Sequence, residues 1–257
     1  MSAAEQTAVN VRQQVSAEEW ATRVDLAACY RLIAHFGWDD LVFTHISARV
    51  PGTHDFLINP YGLMFEEVTA SNLVRVDLAG NKTLPSPYEI NPAGYTIHSA
   101  VHEARDDAGC VLHLHTMEGI AVSAQQRGLL PISQQATFIT LSLSYHDYEG
   151  LALNPDEKAR LQAHLGDTRH MILRNHGLLT VGRTVSDAFL AMYSLQRACE
   201  IQIMAQAGGS AELINIPQAV LDTVPEYVRL VTRGAGAGLV WPALLRKMDR
   251  LDPGYRE

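Results

Sequence analysis

Residues 110–115 read Cys110-Val111-Leu112-His113-Leu114-His115, and residues 174–177 read Arg174-Asn175-His176-Gly177. The first stretch is an apolar run of strand length that finishes on two histidines. In a strand, residues i and i+2 face the same side, about 7 Å apart by Cα. His113 and His115 can therefore converge on one ion, with ring nitrogens about 2.0–2.1 Å from it. His176 follows a second strand, His170 to Arg174, at a tight turn where Gly177 permits a sharp reversal before a returning strand, Leu178 to Val181. Three neutral imidazoles leave a divalent ion its full charge and an open position, the arrangement of a catalytic site. The chain has eleven histidines, so His-x-His alone is a weaker signal than the pair joined to Asn175-His176-Gly177.

Working outward, the spacing predicts a helix opening at Ser16, where Ser16-x-x-Glu19 forms a capping box. Trp20, Val24, Ala27, Ala28 and Leu32 recur along it, and Gly37 closes it. Phe43 to Val50, the Pro51-Gly52 turn and Phe56 to Asn59 read as a hairpin, and Val74 to Leu78 as a further strand. Pro92 begins a helix that runs to about Arg105. Others are expected from Glu118 to Gln126, from Asn154-Pro155 to Leu165, and from Thr184 to Ala207 before Gly208-Gly209. Phe138 to Tyr145 reads as strand. Several strands are joined by turns too short for a parallel crossover. The pattern therefore predicts an α/β fold: a three-layer α/β/α sandwich around a mixed, largely antiparallel sheet. Residues 1–15 read as a flexible arm, 16–215 as the domain and 216–257 as a helical extension broken by Gly234, Gly236 and Gly238.

The chain has 257 residues, 47 % apolar and 19 % charged, which suits one globular domain. Its net charge of −8 and lack of any basic run longer than Arg246-Lys247 argue against a nucleic-acid surface. No apolar stretch approaches the roughly 20 residues needed to span a bilayer. The first ten residues lack the pattern of a signal peptide. Cys29, Cys110 and Cys199 are widely separated, which favours a reducing compartment and a cytoplasmic location.

The sequence resembles the class II aldolase/adducin family across roughly residues 17–215. The carriers are Gly37-Trp38-Asp39-Asp40-Leu41, Thr44-His45-Ile46-Ser47-Ala48-Arg49 and Phe56-Leu57-Ile58-Asn59-Pro60-Tyr61-Gly62. They continue in His98-Ser99-Ala100-Val101-His102, His113-Leu114-His115 and Arg174-Asn175-His176-Gly177. The resemblance implies a homo-oligomer, tetramer or dimer, with active sites near subunit interfaces. It also implies one catalytic divalent ion on His113, His115 and His176, zinc first, with iron or manganese as alternatives.

Departures from the family pattern narrow the expected substrate. The family's sugar-phosphate aldolases cradle phosphate with Gly-Asn, Thr-Gly and Ser-Ser pairs. The matching stretches here are Thr44-His45, Pro60-Tyr61-Gly62 and Asn91-Pro92-Ala93-Gly94, poor in the free N–H groups and hydroxyls that phosphate needs. Gly94 stands where those aldolases place an acid/base glutamate. These differences place the chain toward the adducin-like branch. His45, Asn59 and Gly62 are the expected substrate contacts, His45 toward a carboxylate or as a structural cap. Tyr145 and His146 are the expected proton donors. Glu118, Arg49 and Arg174 read as a helix-terminal carboxylate and surface ion-pairing arginines, and His98 and His102 as packing or supporting donors. The expected function is a metal-dependent carbon–carbon lyase, decarboxylase or aldolase, acting on a non-phosphorylated oxo or hydroxy acid through a metal-stabilised enolate. A non-haem iron oxygenase on the same three histidines, or a non-enzymatic adducin-like interaction module, are the rival readings.

Overall fold

The structure is a computed structural model that describes residues 11–150, 155–208, 213–233 and 235–257. Among them seven strands form one sheet. In chain order these are β1 (His45–Arg49), β2 (Phe56–Ile58), β3 (Val74–Val76), β4 (Cys110–Leu114), β5 (Leu143–His146), β6 (His170–Leu173) and β7 (Gly177–Gly182). Their order across the sheet is β3-β2-β1-β4-β7-β6-β5. Every pairing is antiparallel except β5 with β6. A helix lies between those two in the chain, as a parallel connection requires.

The helices are α1 (Ala17–Phe36), α2 (Pro92–Ala104), α3 (Met117–Ser123), α4 (Gln134–Thr137), α5 (Pro155–Leu165), α6 (Val185–Gln206), α7 (Gln218–Leu221), α8 (Val224–Thr232) and α9 (Trp241–Leu251). Alternation along the strands divides the core into two layers. Ile46, Leu112, Leu114, Ile172 and Leu178 face α1 and α6. Val111, Met171, Leu179 and Val181 face α2 and α5. The result is the expected three-layer sandwich. His113 shares the second face with Val111, so the helices α2 and α5 roof the histidines.

Several local expectations change at the level of individual hydrogen bonds. Ser16 caps α1 by accepting the Glu19 N–H at 3.1 Å. Glu19 does not return the bond, because its carboxylate is drawn inward to Arg23 Nε (2.9 Å) and Arg75 Nη1 (2.8 Å). β3 stops at Val76, since the Asp77 carboxylate accepts the Ala79 and Asn81 N–H groups and turns the chain. The expected strand over 138–145 is confined to Leu143–His146: Ser133 caps the short α4, a 3-10 turn occupies Thr140–Ser142, and Phe138 and Leu141 are exposed. Thr116 captures the Gly119 N–H at 3.2 Å and so starts α3 early. Residues 11–14 form a helical turn with Val11 buried. Asn154 lies outside the described residues.

The segment after α6 docks on α1. Trp241 Nε1 donates to Asp25 (3.0 Å), Arg31 pairs with Asp252, and the Ala70 N–H donates to the Tyr255 carbonyl (3.0 Å). No helix among the described residues is long and apolar enough to cross a membrane.

Candidate metal centre

β4 runs between β1 and β7, and its end delivers His113 and His115 to the face roofed by α2. His176 arrives from the turn between β6 and β7. Asn175 takes the reversal there, with φ +56°, a left-handed conformation that asparagine tolerates better than most residues. Gly177 has another task. A Cβ at that position would lie 2.4 Å from the Leu114 carbonyl oxygen and 3.2 Å from His115 Cδ2, so only glycine lets β7 start this close to β4.

The three rings form a near-equilateral triangle. Centroids are 4.8 Å apart for His113–His115, 4.7 Å for His113–His176 and 4.9 Å for His115–His176. One nitrogen from each lies within 4.8 Å of the other two. His113 is buried and the other two are partly open, which leaves one side for a guest molecule.

The hydrogen bonds behind the rings decide what the triangle fits. His113 Nδ1 lies 3.1 Å from the Leu178 carbonyl oxygen, and His115 Nδ1 lies 2.9 Å from Asp40 Oδ2. A carbonyl and a carboxylate only accept, so both Nδ1 atoms carry a proton, and in the neutral rings that bind a metal both Nε2 atoms present lone pairs. Those two Nε2 atoms face each other at 3.0 Å. Lone pairs so close repel unless positive charge sits between them. Burial first, then the neighbouring His176 and His115, holds His113 well below the usual histidine range. Burial, His115 and His146 bring His176 down to about 4. Neutral rings with oriented lone pairs are what a divalent cation requires. The donor set fits one.

Other predicted residues divide by sheet face. His146 lies on the histidine side, its Nδ1 2.9 Å from His164 Nδ1 and its Nε2 3.5 Å from Glu157. Tyr145, its neighbour in β5, necessarily points the other way. The Tyr145 hydroxyl accepts the Leu129 N–H at 3.1 Å, and Arg174 lies 4.1 Å above its ring. Alternation thus places Tyr145 in the layer opposite the three histidines of its own chain. Tyr148, three residues on, is the ring beside them, 6.1 Å from His176 and half exposed.

His45 stands opposite His113 in the β1–β4 ladder, with ring centroids 5.2 Å apart. Asn59 is committed elsewhere: its Oδ1 lies 2.9 Å from the Tyr30 hydroxyl, which also receives the Asn59 and Ile46 N–H groups. It clamps the start of β1. Gly62 occupies a turn with φ +94°. Glu118 accepts from Gln196 on α6, Arg174 donates to the Gln125 carbonyl, and Arg49 donates to the carbonyls of His102 and Arg105. These arginines brace the backbone instead of pairing with anions. Asp40 lies in the Gly37–Leu41 stretch of the family pattern. Its contact with His115 joins residues 75 apart, and no local spacing announces it.

Residues 24–203 match the family described as Class II Aldolase and Adducin N-terminal domain. A Pseudomonas aeruginosa protein carrying the aldolase class 2 name is 64 % identical over 260 residues, covering 100 % of both chains. The crystal structure of an aldolase II superfamily protein from Pseudomonas syringae superposes with a TM-score of 0.92 at 51 % identity, over 96 % of this chain and 100 % of that one. L-fuculose 1-phosphate aldolase from Glaciozyma antarctica gives 0.81 at 26 % identity, over 94 % of each. Matched by the family over residues 24–203, and by a relative and a crystal structure over nearly its whole length, the chain belongs to the class II aldolase/adducin family.

Proposed function

We propose that this protein is a metal-dependent carbon–carbon lyase that acts on a small, non-phosphorylated oxo or hydroxy acid. The observation that carries the reading is the facing pair of Nε2 atoms of His113 and His115, 3.0 Å apart, with each ring's Nδ1 on an acceptor oxygen. A divalent ion on these atoms and His176, zinc first, supplies Lewis-acid stabilisation of the negative charge released when a carbon–carbon bond breaks.

The chain's own residues do the rest. Asp40 and the Leu178 carbonyl orient two of the ligands from behind. Gly177 and Asn175 place the third. The segment that carries His146 and Tyr148 borders His176 and is the source of the proton, with Tyr148 nearer in the described geometry. Lack of a phosphate cradle supports a non-phosphorylated substrate, although the Glaciozyma relative is named for a phosphorylated sugar. The side chain at position 94 is a single hydrogen, which favours decarboxylation over aldol cleavage because no glutamate is there to deprotonate a hydroxyl. The same departures support the adducin-like branch, the widely separated cysteines support a cytoplasmic protein, and the family resemblance supports assembly as a dimer or tetramer.

The test is elemental analysis of the purified protein followed by assay against small oxo and hydroxy acids. We expect about one divalent ion per chain, and loss of both metal and turnover in His115→Ala. Full activity in a metal-free His115→Ala protein would refute the reading. A wild-type chain that takes up no divalent ion would favour the interaction-module alternative, and oxygen uptake after anaerobic iron loading would favour the oxygenase.

A further inference from the structure

The sheet face that carries His113 also carries His45 and Ser47, and α2 lays His98 and His102 across them. These buried side chains form one unbroken hydrogen-bonded chain. His102 Nδ1 lies 3.1 Å from the Ala108 carbonyl oxygen, and His102 Nε2 lies 2.7 Å from Ser47 Oγ. Ser47 Oγ lies 2.5 Å from His98 Nδ1, and His98 Nε2 lies 2.9 Å from His45 Nδ1.

The far end of this chain sets the direction of every bond in it. A carbonyl only accepts, so His102 Nδ1 carries a proton. Burial, then the neighbouring Arg49, brings His102 down to about 3, so the ring is neutral and its Nε2 is a lone pair. Ser47 must give that lone pair its single hydroxyl proton. Its oxygen then accepts from His98 Nδ1–H, which leaves His98 Nε2 to accept from His45 Nδ1–H. His45 Nε2 is left as an acceptor. Among the described residues it has no hydrogen-bond partner.

Where that lone pair sits matters. His45 is the direct cross-strand partner of His113, in contact with the three-histidine triangle. A Cβ on residue 94 would fall 2.5 Å from His45 Cδ2 and 2.9 Å from its Nε2, so the glycine makes room for this ring. The chain ends on a lone pair beside the metal ligands.

We propose that the Ala108–His102–Ser47–His98 chain fixes His45 as an obligate hydrogen-bond acceptor, and that the site consequently selects a polyhydroxylated acid. One hydroxyl of such a substrate would donate to His45 Nε2 while its other oxygens chelate the ion. A carboxylate or phosphate at that position would meet lone pair with lone pair, so the carboxylate contact expected of His45 from the sequence is replaced by a hydroxyl contact. The proposal rests on the chelation reading of the function above.

Two measurements on the full chain separate the claims. Long-range 1H–15N correlations on the metal-free, 15N-histidine-labelled protein near neutral pH should show His45, His98 and His102 protonated at Nδ1, with His45→Gln used for assignment. An Nε2–H form of His45 overturns the proposal. On the zinc-loaded protein, glycerate should bind about tenfold tighter than lactate, which differs only in lacking the terminal hydroxyl. That preference should shrink in Ser47→Ala, where the chain is cut and His45 is free to change tautomer, while zinc content is retained. Equal binding of the two acids by the wild type overturns the hydroxyl selection. Failure of both to bind overturns the chelation reading and the substrate class with it, whatever tautomer the metal-free spectra report.

Discussion

Asp40 Oδ2 lies 2.9 Å from His115 Nδ1, and this contact turns a loop residue into a determinant of the metal centre. It keeps the proton on Nδ1 and the lone pair on Nε2. Asp40→Ala should therefore weaken zinc binding by about 10–100-fold, the usual effect of removing such an orienting partner, with the fold unchanged. Competition against a chromophoric chelator measures it. An affinity equal to wild type would show that the carboxylate does not orient the ring.

Gly177→Ala places a methyl group 2.4 Å from the Leu114 carbonyl oxygen. Backbone cannot rotate away as a side chain can, so β7 must separate from the end of β4. The expected cost is about 1–3 kcal/mol, read as a lower denaturant midpoint, together with reduced zinc content because His176 moves with the turn. Wild-type values for both would contradict the packing argument.

Gly94→Glu should not create an aldolase. The first carbon of the new side chain would collide with His45, whose ring already fills that space. We expect weaker binding of hydroxy acids and retained zinc, measured by calorimetry. A gain of aldol activity would mean that His45 yields easily.

Buried neutral histidines away from the metal ligands give a defined pH dependence. Burial brings His170 down to about 4, with the Ser142 contact opposing and Arg169 assisting. In the unfolded chain this ring titrates near 6.5. Below that pH the unfolded state takes up a proton that the folded state refuses, so stability is full above about 6.5 and is lost as pH falls through 4. The displacement corresponds to about 3 kcal/mol. Denaturation of chelator-treated protein between pH 7 and 4 should show a decline that is shallower in His170→Phe. Identical slopes would exclude His170 as a contributor.

The sheet and the three ligands were legible because both rest on short-range pattern. Alternation marks β4, and His-x-His places two rings on one face before any tertiary contact is known. Asn175-His176-Gly177 is likewise local, although the roles of its flanking residues were exchanged: asparagine takes the left-handed turn and glycine the close approach. Asp40 was not legible, since its partner lies on a different element across the site. The layer of Tyr145 was not legible either, because it depends on register. Once β5 starts at Leu143, the alternation that puts His146 under α5 sends Tyr145 to the opposite layer. The direction of the His45 chain needed the position of one carbonyl, that of Ala108, which sequence does not give.

The metal triangle joins the tip of one central strand to the turn between two others. An ion bound there would act as a rivet through the middle of the sheet, present in the folded chain and without a seat in the unfolded one. Depletion would first loosen the β6–β7 corner, where His176 sits. Trace-metal supply would then govern how long each molecule survives as well as how fast it works.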